Sequence, residues 1–417
     1  MQYDEATARQ IAARFSWADA DASFIDNPYP VYAALRQFDP VHALAPGQWL
    51  LTRHDDVATL YREGSASSDK QREFGPRLGA GSLILEHHTS SLVFNDPPLH
   101  TRVRRLILGA VNQRAVARMA PGLETLVDGL LDGLADQPAP DLIDHFAAQI
   151  PVEVIGNLLD VPHSQRLPLR GWSLAILSAL EPAPSPALLS RANDAVRDFM
   201  ALLRDLVAHR RQHPGDPDAD VLTRLIQGEA NIEANSEGNS EALSEAELLH
   251  NCIFLLNAGH ETTSNLLGNG VHALLSHRDQ WHRLVGDPSL AASAVEELLR
   301  FESPLQLNNR VLTAPVQLRD QTLPSGDFVT LCIGAANRDA AVFAQPDRLD
   351  ISRKPNPHLA FGHGGHACAG MNVARLEGRI ALARLAQRYP ALTLAGEPER
   401  DLRIRFRGFK RVPVHLG

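Results

Sequence analysis

From about residue 100 to about residue 300, apolar residues recur every three or four positions, as in ARMAPGLETLVDGLLDGLAD and ANDAVRDFMALLRDLVAHRRQ. That period belongs to helices burying one stripe each, and so long a run of it leaves little chain for an extensive sheet. Short β-like runs occur near Trp49 to Thr52 and at Phe328 to Ile333. The expected fold is mainly α with a minor β-sheet region. At 417 residues the chain can bury one large core.

Apolar residues make up 44% and charged residues 21%, an ordinary globular composition. A net charge of −9 argues against a general nucleic-acid surface. The start, MQYDEATARQ, places Asp4 and Glu5 where a signal peptide carries basic residues, and no run of eighteen apolar residues follows. The three cysteines, Cys252, Cys332 and Cys368, are too widely spaced for a disulfide framework and suit a reducing compartment. A cytoplasmic protein outside the membrane is expected.

Two segments read as connections. EPAPSP, residues 181–186, carries three prolines and should be stiff. Residues 229–243, in the acidic run EANIEANSEGNSEALSEAE, read as a solvated surface loop. The run closes on Ser244 and Glu247, a capping box that should open a long helix running toward Ser276.

The segment Phe361-Gly-His-Gly-Gly-His-Ala-Cys-Ala-Gly370 holds four glycines in ten residues. Such a backbone is held in unusual conformations or lies close against something flat. It leads into the helical pattern MNVARLEGRIALARLAQRY, so Cys368 stands at a helix N-terminus, where the dipole favours a thiolate. The spacing leaves three readings open: an iron ligand, part of a zinc site with His363 and His366, or an inert buried cysteine.

Within the long helix, Ala258-Gly-His-Glu-Thr-Thr263 combines a mid-helix glycine with two threonines and should distort the helix locally. A hydroxyl beside the Glu261 carboxylate could pass protons. A packing glycine with ordinary polar neighbours is the other reading. Glu297 and Arg300 sit three apart on one helical face, and His100 and Arg104 four apart on another.

Taken in order, these segments resemble the cytochrome P450 family. The cysteine loop matches Phe-x-x-Gly-x-His/Arg-x-Cys-x-Gly at every specified position, although Ala369 stands where leucine is frequent. The hexapeptide is similar to Ala-Gly-x-Asp/Glu-Thr, and Glu297 with Arg300 to Glu-x-x-Arg. The likeness runs from NPYPVYAALRQFDPVH to FRGFKRVPV, with Ala340 where proline is frequent, which points to a single domain over residues 1–417. The resemblance implies the P450 fold, with a long central helix over the haem, and haem b with Cys368 as the iron's axial ligand. It implies dioxygen hydrogen-bonded by Thr262, with Glu261 helping to deliver protons. His100, Arg104, Arg310 and His366 would hold the propionates, with Phe361, Gly364, Gly370, Ala258 and Gly259 against the cofactor. Arg348 would complete a structural triad with Glu297 and Arg300.

The activity implied is monooxygenation of an apolar, moderate-sized substrate of terpenoid, steroid or polyketide type. A peroxide-driven peroxygenase and a non-catalytic haem sensor or carrier are the alternatives. No flavin or iron–sulfur pattern is present in the sequence, so electrons from NAD(P)H are expected through a separate ferredoxin and ferredoxin reductase. Arg105, Arg375 and Arg379 would form the docking patch on a monomeric enzyme. The substrate pocket is expected to include Leu83, Ile84, Leu85, Leu174 to Leu177, Leu255, Leu305, Leu307 and Phe406.

Overall fold

The structure, a computed structural model, describes residues 3–181, 184–217, 220–227 and 243–417. The acidic segment 229–243 lies outside the described residues except for Leu243, which is buried. In EPAPSP, residues 182 and 183 also lie outside them, and the rest is a helix entrance: the Ser185 hydroxyl accepts from the Leu188 amide at 3.3 Å and Pro186 begins the helix Pro186–Gln212. Proline there loses nothing, because its missing N–H would have had no intrahelical partner.

The organising element is the helix Glu245–Ser276, whose 32 residues span roughly 48 Å at the usual rise. Its capping box forms in both directions: Glu247 N donates to the Ser244 hydroxyl at 3.2 Å and Ser244 N donates to the Glu247 carboxylate at 2.7 Å. Its buried residues include Leu248, Leu256, Leu266 and Leu274. The helices Gln149–Leu158, Leu169–Ser178, Ala291–Phe301 and Met371–Arg388 pack around it. Three of these helices meet at Gly378, where an added Cβ would lie 2.9 Å from Val295 and 3.4 Å from Leu266. A glycine there is a condition of the crossing.

The β-like runs become strands of one five-stranded sheet, ordered Val41–Ala45, Gln48–Leu51, Phe328–Cys332, Leu307–Leu312, Ala66–Ser67. Gln48–Leu51 pairs parallel with Phe328–Cys332, with Trp49 opposite Val329. Among the described residues no helix is long and apolar enough to cross a membrane.

Glu297 and Arg300 are fully buried, and Arg300 grips the carboxylate through Nε at 2.8 Å and Nη2 at 2.9 Å. The third member is Arg353, not the expected Arg348. Arg353 Nε lies 3.1 and 3.0 Å from the two Glu297 oxygens, whereas the Arg348 side chain reaches Gln345. Arg348 contributes only its carbonyl, which accepts from Arg300 at 3.2 Å and Arg353 at 3.0 Å. Sequence spacing could not separate two arginines five residues apart on one loop. Removing a partner from a buried ion pair costs about 3–5 kcal/mol, while an exposed side chain contributes roughly 0.5 kcal/mol or less. Urea unfolding of the holoprotein should therefore show Arg353→Ala destabilised by several kcal/mol and Arg348→Ala nearly unchanged.

Candidate functional site

The segment Phe361–Gly370 is closed on itself by Cys368 N donating to the Phe361 carbonyl at 2.8 Å. Gly362 and Gly364 adopt φ of +66° and +70°. At Gly364 a Cβ would also run into the Tyr61 carbonyl oxygen, so only glycine allows this approach. The loop thus presents the Cys368 thiol into a cavity of about 290 Å³. Burial raises the thiol pKa, against the pull of the Gly370 amide, Arg104 and Arg375. The helix N-terminus alone therefore does not lower the thiol as expected, because burial outweighs it.

Ala258, Gly259 and Thr262 of the central helix line the same cavity as Cys368. The helix runs without interruption here, contrary to the expected distortion, and the Thr262 hydroxyl donates to the Ala258 carbonyl at 2.7 Å. Gly259 is needed for packing, since a Cβ would meet Ile155 at 2.8 Å. Glu261 does not stand beside that hydroxyl on the cavity wall. It is buried in an ion pair with Arg403, which also holds Asp401 at 2.6 Å. Burial raises the Glu261 pKa and Arg403 opposes the rise. His260 is buried with neither ring nitrogen partnered, and burial lowers it to about 3.

One edge of the cavity is polar. His100 and His366 lie ring on ring at 3.9 Å, and Arg104 lines the same cavity. Burial, then His366 and Arg104, lower His100 to about 4, and its Nε2 is buried without a partner. Arg310 is buried beside this edge, 5.2 Å from the Tyr61 ring centroid, with Nη1 donating to the Asn309 carbonyl at 2.8 Å. His366 Nε2 already meets the Asp96 carboxylate at 3.6 Å, while Arg104 and Arg310 beside the unpartnered His100 suit a ligand that brings anions. Together with the apolar walls, this edge fits a flat group bearing carboxylates, such as haem.

The expected substrate wall is only partly present. Leu177, Leu255, Leu305 and Phe406 line the cavity; Leu83, Ile84, Leu85, Leu174 and Leu307 do not. On the helix Leu83–Ser90 the buried face is Ile84, His87 and His88, and the two histidines reach the cavity while Ile84 joins the core. Leu307 begins a strand and packs in a separate cluster with Leu50 and Cys332. Phe361 and Gly370 line the cavity; Gly364 acts behind it.

Glu377 was missed. It lies on the cavity from the helix Met371–Arg388, buried, with Thr263 lining the same cavity. The available signal was a carboxylate on an apolar stripe, four residues after Val373 and three before Ile380.

The sequence matches the cytochrome P450 family over residues 174–286 and 289–413. It is 37% identical to cytochrome P450 107B1 of Saccharopolyspora erythraea, over 95% of this chain and 97% of that one. It is 40% identical to the vitamin D(3) 25-hydroxylase of Pseudonocardia autotrophica, over 95% of both chains. The crystal structure of P450BioI in complex with an acyl carrier protein carrying hexadec-9Z-enoic acid superposes with a TM-score of 0.87 at 33% identity, covering 94% of this chain and 99% of that one. The chain therefore belongs to the cytochrome P450 family. It is a haem-thiolate monooxygenase.

Burial holds Glu377 up to about 8 from its ordinary 4.5, so the folded protein keeps a proton there that the unfolded chain loses. Stability from this group is complete below about pH 4.5 and is lost as pH rises toward 8. Across that window the unfolding free energy of the native holoprotein should fall relative to Glu377→Gln by roughly 1 kcal/mol per pH unit. Urea titrations at pH 5, 6, 7 and 8 read the difference, and parallel curves would refute it.

Proposed function

We propose that Cys368 is the axial ligand of a haem iron and that the catalytic domain extends over residues 1–417. The observation that supports this reading is that Cys368 and Thr262 line one cavity. When bound, haem supplies oxidising power drawn from dioxygen, and a thiolate ligand favours O–O cleavage. The protein's share is position, protons and exclusion of water.

His100, Arg104, Arg310 and His366 would neutralise the propionates. Arg310 does not line the cavity but touches two residues that do, Asn308 at 3.5 Å and the Tyr61 ring at 5.2 Å, so this role requires its side chain to move. Ala258 and Gly259 give the cofactor a flat wall because neither carries a side chain beyond Cβ. Thr262 can turn its hydroxyl from the Ala258 carbonyl toward dioxygen, exchanging one hydrogen bond for another. Glu261 can pass a proton only after leaving Arg403, which makes that ion pair the gate of the relay.

Our reading of the substrate is an apolar molecule of moderate size, of terpenoid, steroid or polyketide type, supported by Leu177, Leu255, Leu305 and Phe406 on the wall and by a relative named as a vitamin D(3) hydroxylase. Electrons would come from NAD(P)H through a ferredoxin and its reductase to a monomeric enzyme in the cytoplasm. Arg105 and Arg379 are exposed. Arg375 is paired with Glu296 at 2.8 Å and lies over the Phe361 ring at 4.8 Å, so it links this face to the cysteine loop.

Cys368→Ala should abolish the red-shifted carbon monoxide band of the reduced protein, and survival of that band would overturn the assignment. Arg105→Glu combined with Arg379→Glu should slow reduction by an acidic ferredoxin about tenfold at low salt while leaving substrate affinity unchanged. Stopped-flow reduction measures this, and an unaltered rate would place the docking face elsewhere.

A further inference from the structure

Near its C-terminal end the chain carries three arginines at alternate positions, Arg403, Arg405 and Arg407. The outer two are met by acids, Arg403 by Glu261 and Asp401 and Arg407 by Glu302. The middle one lines the cavity, at 9% exposure. Its Nη1 donates to the neutral amide oxygen of Asn309 at 2.5 Å, and among the described residues no carboxylate lies within ion-pair distance of its guanidinium. We propose that Arg405 binds a carboxylate of the substrate, so that this cavity selects an apolar acid. The inference rests on the haem-thiolate reading, which makes this space the substrate chamber.

The backbone fixes where this cation stands. The Arg405 carbonyl accepts from Gln306 N at 2.9 Å, and Arg407 N donates to the Pro304 carbonyl at 2.8 Å. Pro304, Leu305 and Phe406 of this extended pair line the same cavity, so the guanidinium is set beside apolar wall. Burial lowers the Arg405 pKa only to about 10, which leaves it charged at neutral pH. A buried cation resting on a neutral amide has attraction to spare, and its hydrogen bond to a carboxylate is about twice as strong as one between neutral groups. Nε is enclosed and out of reach of a ligand, whereas Nη2 makes no hydrogen bond within the protein and is not enclosed, so Nη2 is the atom left to donate.

Other owners of this charge fit less well. Glu181 accepts the backbone amides of Ile404 at 3.1 Å and Arg405 at 3.3 Å, and its charge reaches the guanidinium only from farther off. Glu73 is engaged by Arg77 at 3.5 Å. The edge assigned to the haem propionates is a different neighbourhood: His100 and His366 feel Arg104 and Arg310, whereas His88, on the helix Leu83–Ser90, feels Arg77 and Arg405. One guanidinium matches the single charge of a carboxylate, and a phosphate brings close to two.

The test uses the haem-loaded protein and probes of nearly equal size: decanoate, its isomeric ester methyl nonanoate, and undecyl alcohol, with dissociation constants from calorimetry and from the spectral shift. The native protein should bind decanoate at least about tenfold more tightly than the ester or the alcohol. In Arg405→Leu that preference should vanish while ester binding persists. Equal binding of decanoate and ester by the native protein overturns the proposal. So does a preference that survives in Arg405→Leu, which assigns the anion to another cation such as Arg104. Loss of haem from Arg405→Leu, with native decanoate affinity in the fraction still loaded, assigns the guanidinium to a propionate and also overturns it. The native series decides the question even where the variant fails to fold. The carbon monoxide band, recorded on the same samples, reports separately on the haem-thiolate reading: a holoprotein with the band and without the preference refutes the Arg405 site alone.

Discussion

The Glu297 carboxylate is buried completely, and a buried anion survives only where its charge and lone pairs are met. Arg300 and Arg353 meet the charge, and the Asp350 amide at 2.9 Å and Asn356 Nδ2 at 3.2 Å complete the shell. These partners come from the helix Ala291–Phe301 and from the irregular chain that leads into the cysteine loop. One carboxylate therefore ties a regular element to about ten residues that form no ladder of their own. The position of Cys368 depends on that tie, because loop segments without secondary structure owe their order to such contacts. The neighbouring Glu296 reaches the same region from the other side, holding His358 at 3.2 Å and Arg375 at 2.8 Å.

A chamber beside the central helix asks the opposite of the packed core. Interiors close to high density unless something holds the walls apart. Here the walls are the rigid helix Glu245–Ser276 and a loop locked by glycine conformations and by its own Phe361–Cys368 hydrogen bond. The polar groups around the space are left short of partners, at His100 on one side and at His87 and Asn257 on another. Such shortfalls oppose folding, and whatever binds the folded chamber alone stabilises it in return, so binding and stability are linked.

Much of this was legible in sequence because it follows from short-range rules. The capping box at Ser244 and Glu247 marked the start of the central helix, and the strand pair around Trp49 and Val329 lay where β-like runs were read. The cysteine loop was legible because its residues are contiguous. What failed shares one cause, the direction of a side chain relative to distant chain. Arg348 and Arg353 differ only in which reaches Glu297. Leu83 to Leu85 were placed on the wall although the helical period turns His87 and His88 there. Glu261 is adjacent to Thr262 in sequence, yet neighbouring residues of a helix point about 100° apart, which carries its carboxylate to Arg403.

That divergence bears on how protons reach the chamber. Glu261 is held in its ion pair away from the cavity, and opening the pair exposes a buried arginine as well as the acid. Glu377 has the converse properties: it lines the cavity, has no cationic partner among the described residues, and burial holds its pKa up to about 8. A group already protonated near neutrality can donate without first recruiting a proton from solvent, but it cannot be recharged except through Thr263 or the chamber itself. The ion-paired acid is connected toward the surface by Arg403 and Asp401, the latter partly exposed, and so is the one able to turn over repeatedly. On our proposal that Glu261 is the working acid, Arg403 would have to move aside before each delivery.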